Sequence, residues 1–166
     1  MKAINLRMTY IRTKKIQKQE YAYLVESVNT EKGPRQKVRQ YLGKVHHYSL
    51  PEFIPSEMSQ NTKREFLNRL IGDHLKALNF NQTNSKIENE HITISLEDCS
   101  MQNKKSKKEI VLALNPGFLC QFTIHRILNF KKTPDIRKDG YTLANYFKEA
   151  GLQISEKEFV QFYQLL

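Results

Sequence analysis

Cysteine is scarce in this 166-residue sequence, with only Cys99 and Cys120 present. Two thiols cannot build a disulfide framework, so they are expected to stay unpaired and buried, in a reducing cytoplasmic setting. No apolar run approaches the roughly 20 residues that a bilayer span requires. Near the start, Lys2 and Arg7 are followed by Met8-Thr9-Tyr10-Ile11-Arg12, which leaves no uninterrupted apolar core for a signal peptide. Six glycines and five prolines exclude a collagen-like repeat, and there is neither an internal repeat nor a heptad pattern. A Gly-rich phosphate loop, His-Glu-x-x-His and Cys-x-x-Cys are all missing, so no nucleotide loop or metal motif is legible and no cofactor or metal is expected. Negative charge is also in short supply. Lys and Arg total 27 against 17 Asp and Glu, a formal net charge of +10.

That excess is unevenly placed. Residues 1–48 carry 11 basic and 3 acidic side chains, a net of +8. Residues 49–100 carry 5 and 8, a net of −3, and residues 101–166 carry 11 and 6, a net of +5. A second focus is Lys104-Lys105-Ser106-Lys107-Lys108. Blocks of this kind suit a polyanion, because each neutralised phosphate releases a condensed counterion. A solvated basic surface is the other reading that charge alone permits.

The first third reads as a three-stranded antiparallel meander. Tyr10–Ile16, Glu20–Val28 and Gln36–Leu42 are rich in Tyr, Val, Ile and Leu, and polar turns at Gln17-Lys18-Gln19 and at 29–34 separate them. Strict alternation puts Arg35, Lys37, Arg39 and Tyr41 on one face of the third strand. Tyr21 and Tyr23 share a face of the second strand, while Arg12 and Lys14 lie opposite Lys15 on the first. Arginine offers bidentate phosphate or guanine contacts and tyrosine a stacking plane. The expected nucleic-acid contacts are therefore Arg12, Lys14, Lys15, Lys18, Tyr21, Tyr23, Arg35, Lys37, Arg39 and Tyr41, joined by Lys104, Lys105, Lys107 and Lys108.

Tyr23-Leu24-Val25-Glu26-Ser27-Val28, the turn with Gly33, and Arg35-Gln36-Lys37-Val38-Arg39-Gln40-Tyr41-Leu42-Gly43 resemble the opening segment of IS4-like and IS1634-like insertion-sequence transposases. The resemblance covers residues 8–45. In that family this portion precedes the catalytic domain and is associated with handling DNA, which implies DNA as the favoured partner here. Transposases of this kind use a ribonuclease-H-like domain with three separated carboxylates that bind divalent metal. Glu97 and Asp98, at the end of a predicted strand, stand where the first such acid would be. Only 68 residues follow Asp98, and Asp135, Asp139 and Glu149 end no recognisable strand. Glu97 and Asp98 are read as solvated strand-end acids, and the chain as non-enzymatic.

Beyond Val45 the sequence predicts a polar connector with His46, His47, Pro51 and Pro55. A helix opens at a Thr62–Glu65 capping box and ends near Asn79, and 79–90 reads as a loop. Ile92–Leu96 and Glu109–Leu114 read as a hairpin with the lysine-rich turn at its tip. Asn115-Pro116-Gly117 then predicts a helix start, with helices running to about Phe130, from Tyr141 to Gly151, and from Ser155 to the end of the chain. His74 and His125 fall on amphipathic helices as structural histidines. The expected class is α+β: a meander over 1–48, a connector and helix over 49–90, and a hairpin with three helices over 91–166.

The function expected from these residues is non-enzymatic nucleic-acid binding, with DNA favoured. The alternatives are a small basic RNA-binding or ribosome-associated protein, a truncated transposase or metal-dependent nuclease using Glu97 or Asp98, and a protein–protein adaptor presenting its C-terminal helices. No membrane partner is expected.

Overall fold

The computed structural model describes residues 9–52, 62–114 and 116–166. Lys2 and Arg7, Pro55 of the connector and the expected helix cap Asn115 lie outside the described residues. The chain is α+β, with two sheets and four helices among the described residues. Strands β1 (Thr9–Ile16), β2 (Gln19–Thr30) and β3 (Gly33–His47) form the antiparallel meander. Gln17 and Lys18 make the first turn with φ of 47° and 65°, the doubly left-handed pair of a type I′ two-residue hairpin. Gly33, at φ 98°, ends the second turn, where its carbonyl accepts from Thr30 Oγ1 at 2.7 Å.

Helix α1 (Lys63–Lys76) starts on the expected box. Thr62 Oγ1 accepts from Glu65 N–H at 3.2 Å, and a Glu65 carboxylate oxygen accepts from Thr62 N–H at 3.1 Å. Phe66, Leu67, Leu70, Ile71 and Leu75 are buried along one side of it. Short strands follow: β4 (Asn81–Gln82), β5 (Lys86–Glu88), β6 (Ile92–Ser95) and β7 (Met101–Asn103), a four-stranded antiparallel sheet. The expected loop over 79–90 therefore holds two strands. They are two and three residues long, and Ile87 is their only fully buried side chain, so no alternation was available to read.

The expected hairpin is also corrected. The partner of β6 is β7, not the strand after the lysine turn. That later strand, β8 (Ile110–Ala113), joins the first sheet instead and runs parallel to β3, pairing Lys44 with Ile110 through His47 with Ala113. An isolated bridge between Gln102 and Glu109, with Lys107 N–H donating to the Asn103 carbonyl at 2.9 Å, links the two arms of the lysine turn in place of a ladder. All four residues of β8 are buried: Ile110 and Leu112 enter one core, Val111 and Ala113 the other. A strand that is apolar on both faces must sit centrally, which a terminal hairpin cannot offer. Parallel pairing needs a long crossover, and α1 with the small sheet forms it. His46 and His47, expected in the connector, thus lie in β3.

Strand β9 (Phe118–Leu119) completes the order β1-β2-β3-β8-β9. Pro116-Gly117 leads into this strand rather than into a helix, because the Gly117 carbonyl accepts from Leu114 N–H at 2.9 Å to close a tight turn. Helix α2 (Gln121–Leu128) begins only at Cys120, whose N–H donates to Thr123 Oγ1 at 3.1 Å. Helix α3 (Ile136–Ala150) starts a turn before the expected Tyr141, because Asp135 accepts from Lys138 N–H at 3.0 Å. Gly151 closes α3 at φ 73°, as expected from its position. The box at Ser155 opens α4 (Glu156–Gln164), and Leu165 and Leu166 pack against the core.

The larger core lies among α1, the small sheet, β8 and the last three helices. Phe162 sits at its centre, in edge contact with Phe66 at 5.3 Å and Phe147 at 5.2 Å. Arg69 ties α1 to α4 through Glu158 at 3.1 Å and pairs along its own helix with Asp73 at 3.1 Å. The second core, Ala22, Leu24, Leu42, Val45, Val111, Ala113 and Cys120, cements the meander to β8 and α2. Both cysteines are free and buried. No helix among the described residues is long and apolar enough to cross a membrane.

Candidate nucleic-acid interface

The pairing of β2 with β3 slips twice. Tyr23 faces Tyr41 and Leu24 faces Gln40, but Val25 faces Val38, so Arg39 is an extra residue. Ala22 faces Gly43, so Leu42 is a second. Each bulge inverts the alternation of everything beyond it. Arg35 and Lys37 consequently do not share a face with Tyr41, which corrects the simple alternation. Opposite Tyr21, Tyr23 and Val25 of β2 lie Lys44, Tyr41 and Val38 of β3, and on the other flank Lys14, Arg12 and Tyr10 of β1.

This outer face is both aromatic and cationic. The Tyr41 ring lies 5.5 Å from Tyr23 and 6.3 Å from Tyr21, centroid to centroid and tilted in both cases. Tyr41 is 44% exposed and Val38 61%. Partial burial, with Tyr21 and Tyr23 alongside, pushes the Tyr41 phenol above its ordinary value of 10 and keeps it a neutral stacking plane. Arg12 donates to the Gln36 side-chain oxygen, and the Gln36 amide donates to Tyr10 Oη, a chain that links the two outer strands across the face. Between these strands runs a groove of about 460 Å³, lined by Arg12, Lys14, Tyr23, Val25, Gln36 and Val38.

Lys44 and His46 continue the face towards the small sheet. Burial, reinforced by Lys44 and His91, holds the His46 imidazole below its ordinary value and therefore uncharged. The lysine turn comes close at this end. Glu109 acts electrostatically on Tyr41, and the His91 carbonyl accepts from Lys104 N–H at 2.8 Å. Asn103 organises the turn by accepting from Lys105 and Ser106 N–H at 3.0 and 2.9 Å. Lys104 is engaged by Glu88 at 3.1 Å, whereas Lys105, Lys107 and Lys108 are exposed.

The other expected contacts scatter. Arg35, Lys37 and Lys15 are exposed on the opposite face of the meander, and Lys18 is at the tip of its first turn. Arg39 is ion-paired to Glu26, whose side chain is 3% exposed, so its charge serves to hold a buried carboxylate. Lys44, Gln36 and Val38 belong to the face through the two bulges, which strict alternation does not reveal, and Tyr10 joins them from β1 by plain alternation with Arg12 and Lys14. Gly43 carries the one sequence signal of irregularity: a glycine inside a strand.

Glu97 and Asp98 are exposed in the turn between β6 and β7. Asp98 accepts from Ser100 N–H at 3.0 Å, a hydrogen bond that draws its carboxyl below the ordinary range. No group of three His, Cys, Asp or Glu side chains converges as a metal cluster among the described residues. His47 pairs with Glu20 at 2.7 Å, and a Thr13 hydrogen bond, followed by that contact, lowers the Glu20 carboxyl. From α2, α3 and α4, Ile124, Ile127, Leu143, Phe147 and Phe162 are buried in the core, while Ile136, Tyr141 and Val160 stay exposed. No protein-family model, curated protein or solved structure matches the chain.

Proposed function

We propose that this chain is a non-enzymatic nucleic-acid-binding protein that holds its partner on the outer face of the meander, with DNA the favoured partner. The observation that carries this reading is the convergence of Arg12, Lys14 and Lys44 around the Tyr21–Tyr23–Tyr41 cluster on one exposed face. The cations neutralise phosphates, the tyrosines offer planes to the bases, and Lys105, Lys107 and Lys108 extend the positive rim. The transposase-like residues 23–43 favour DNA over RNA. Arg35 and Lys37, on the opposite face, add long-range attraction rather than contacts.

The test is a salt titration of binding to an oligonucleotide. Replacing Arg12, Lys14 and Lys44 together by Ala should lower the slope of log K against log salt by about 2 to 3, one unit or slightly less per lost phosphate contact. Replacing Arg137 and Lys138, exposed at the start of α3, should leave the slope unchanged. Equal losses from both sets would mean that only net charge matters and would overturn the assignment to this face.

A further inference from the structure

The face described above contains more than phosphate binding requires. A duplex keeps the planes of its bases stacked inside the helix and presents phosphates, groove edges and sugars. Cations alone would serve it. Here three tyrosine rings and the exposed Val38 occupy the middle of the face, with Val25 buried beneath them, and the cations stand around them. Exposure of Val38 at 61% and Tyr41 at 44% has no partner within the described fold to account for it. An apolar floor of this kind is useful only to a ligand that brings an apolar plane of its own, and an unpaired nucleobase is the planar group attached to a polyanion.

The groove makes the placement specific. It runs between β1 and β3 across β2, with Tyr23 and Val25 as its floor, Val38 on one wall and Arg12 and Lys14 on the other. Its volume of about 460 Å³ falls in the range that takes a small planar ligand. Gln36 lies at its edge with both amide atoms in the chain from Arg12 to Tyr10, a polar arm able to exchange those bonds for a base edge. Tyr41 stands beside the groove as a second stacking plane, and Lys44 beyond it matches a backbone that continues past the seated base.

We infer that the meander face is a single-strand site: it seats an unpaired base in the Tyr23–Val25–Val38 groove, stacks a neighbouring base on Tyr41, and takes the flanking phosphates on Arg12, Lys14 and Lys44. This rests on the nucleic-acid reading above and narrows it to single-stranded substrate. Single-stranded character follows from what occupies the face, since a stacked duplex leaves the tyrosine planes and the exposed Val38 without contact. The base preference is weak, because every base has a π-face and only Gln36 offers a fork to an edge.

Three probes of equal length separate the outcomes: an oligothymidylate, a duplex, and an abasic deoxyribose-phosphate strand that keeps the phosphates and removes the bases. The full chain should bind oligothymidylate about tenfold or more tighter than the abasic strand, and tighter than the duplex at equal salt. Tyr41→Ala should remove most of that gap without changing the salt slope, and Tyr41→Phe, which retains the plane, should preserve it. The chain has no tryptophan, so its tyrosine emission is directly observable and should be quenched by oligothymidylate but not by the abasic strand. Equal affinity for oligothymidylate and the abasic strand, or tighter binding of the duplex, would overturn the single-strand site while leaving nucleic-acid binding in place. Absence of salt-dependent binding to all three would overturn the underlying reading itself.

Discussion

His74 is buried to 1% exposure, and both ring nitrogens are used in the neutral form. Nδ1–H donates to the Leu70 carbonyl at 2.7 Å, and Nε2 accepts from Gln153 N–H at 2.9 Å. A second proton would turn Nε2 from an acceptor into a donor aimed at an N–H. Burial lowers the His74 imidazole below its ordinary 6.5 and outweighs the opposing pull of the Leu70 carbonyl, Asp73 and Glu158. His46 is displaced in the same direction. The unfolded chain therefore binds more protons than the folded one once pH falls below the ordinary histidine value. Stability from these two groups is complete above about pH 6.5 and declines below it, by up to about 1.4 kcal/mol per pH unit for each. Urea midpoints measured from about pH 7.5 to about pH 5 should fall accordingly. The spacing of α1 already marked His74 as structural. Its partner Gln153, 79 residues further along, was beyond any local pattern.

Among the elements, β3 decides which residues share the candidate site, and it does so through irregularity. Gly43 stands at φ 134°, where a Cβ would lie 2.6 Å from the Glu109 carbonyl oxygen. The glycine both accommodates the bulge and lets the start of β8 close on β3. Gly43→Ala should destabilise the fold by about 1–3 kcal/mol through the backbone conformation, with the clash in addition. Gly33→Ala, also at positive φ but with open space around it, should cost less. Chemical denaturation of the two variants checks the order. The three strands of the meander and three of the four helices could be read from polar turns, capping boxes and Gly151. The face could not, since alternation in the sequence assumes a register without extra residues, and Arg39 and Leu42 are both extra.

For the whole molecule, β8 is the junction. It pairs with the meander, closes on β9, and sends Ile110 and Leu112 into one core and Val111 and Ala113 into the other. Beyond Lys44 towards the second turn, β3 is paired only with β2, so the far half of the meander extends past the cores. Amide exchange should be slowest in β8 and α1 and fastest at the turn over 30–34, and uniform protection would contradict this gradient. The sequence alone determined the charge concentration in the first third, the meander, the capped helices and the aromatic residues available for stacking, because these follow from local spacing and turn chemistry. Only the tertiary structure decided that β8 leaves its expected hairpin for a parallel place beside β3, because that place covers both of its apolar faces. It also decided that Tyr41 joins Arg12, Lys14 and Lys44 rather than Arg35 and Lys37. Two unpaired residues in one strand set that grouping, through hydrogen bonds to a partner strand that local spacing does not encode.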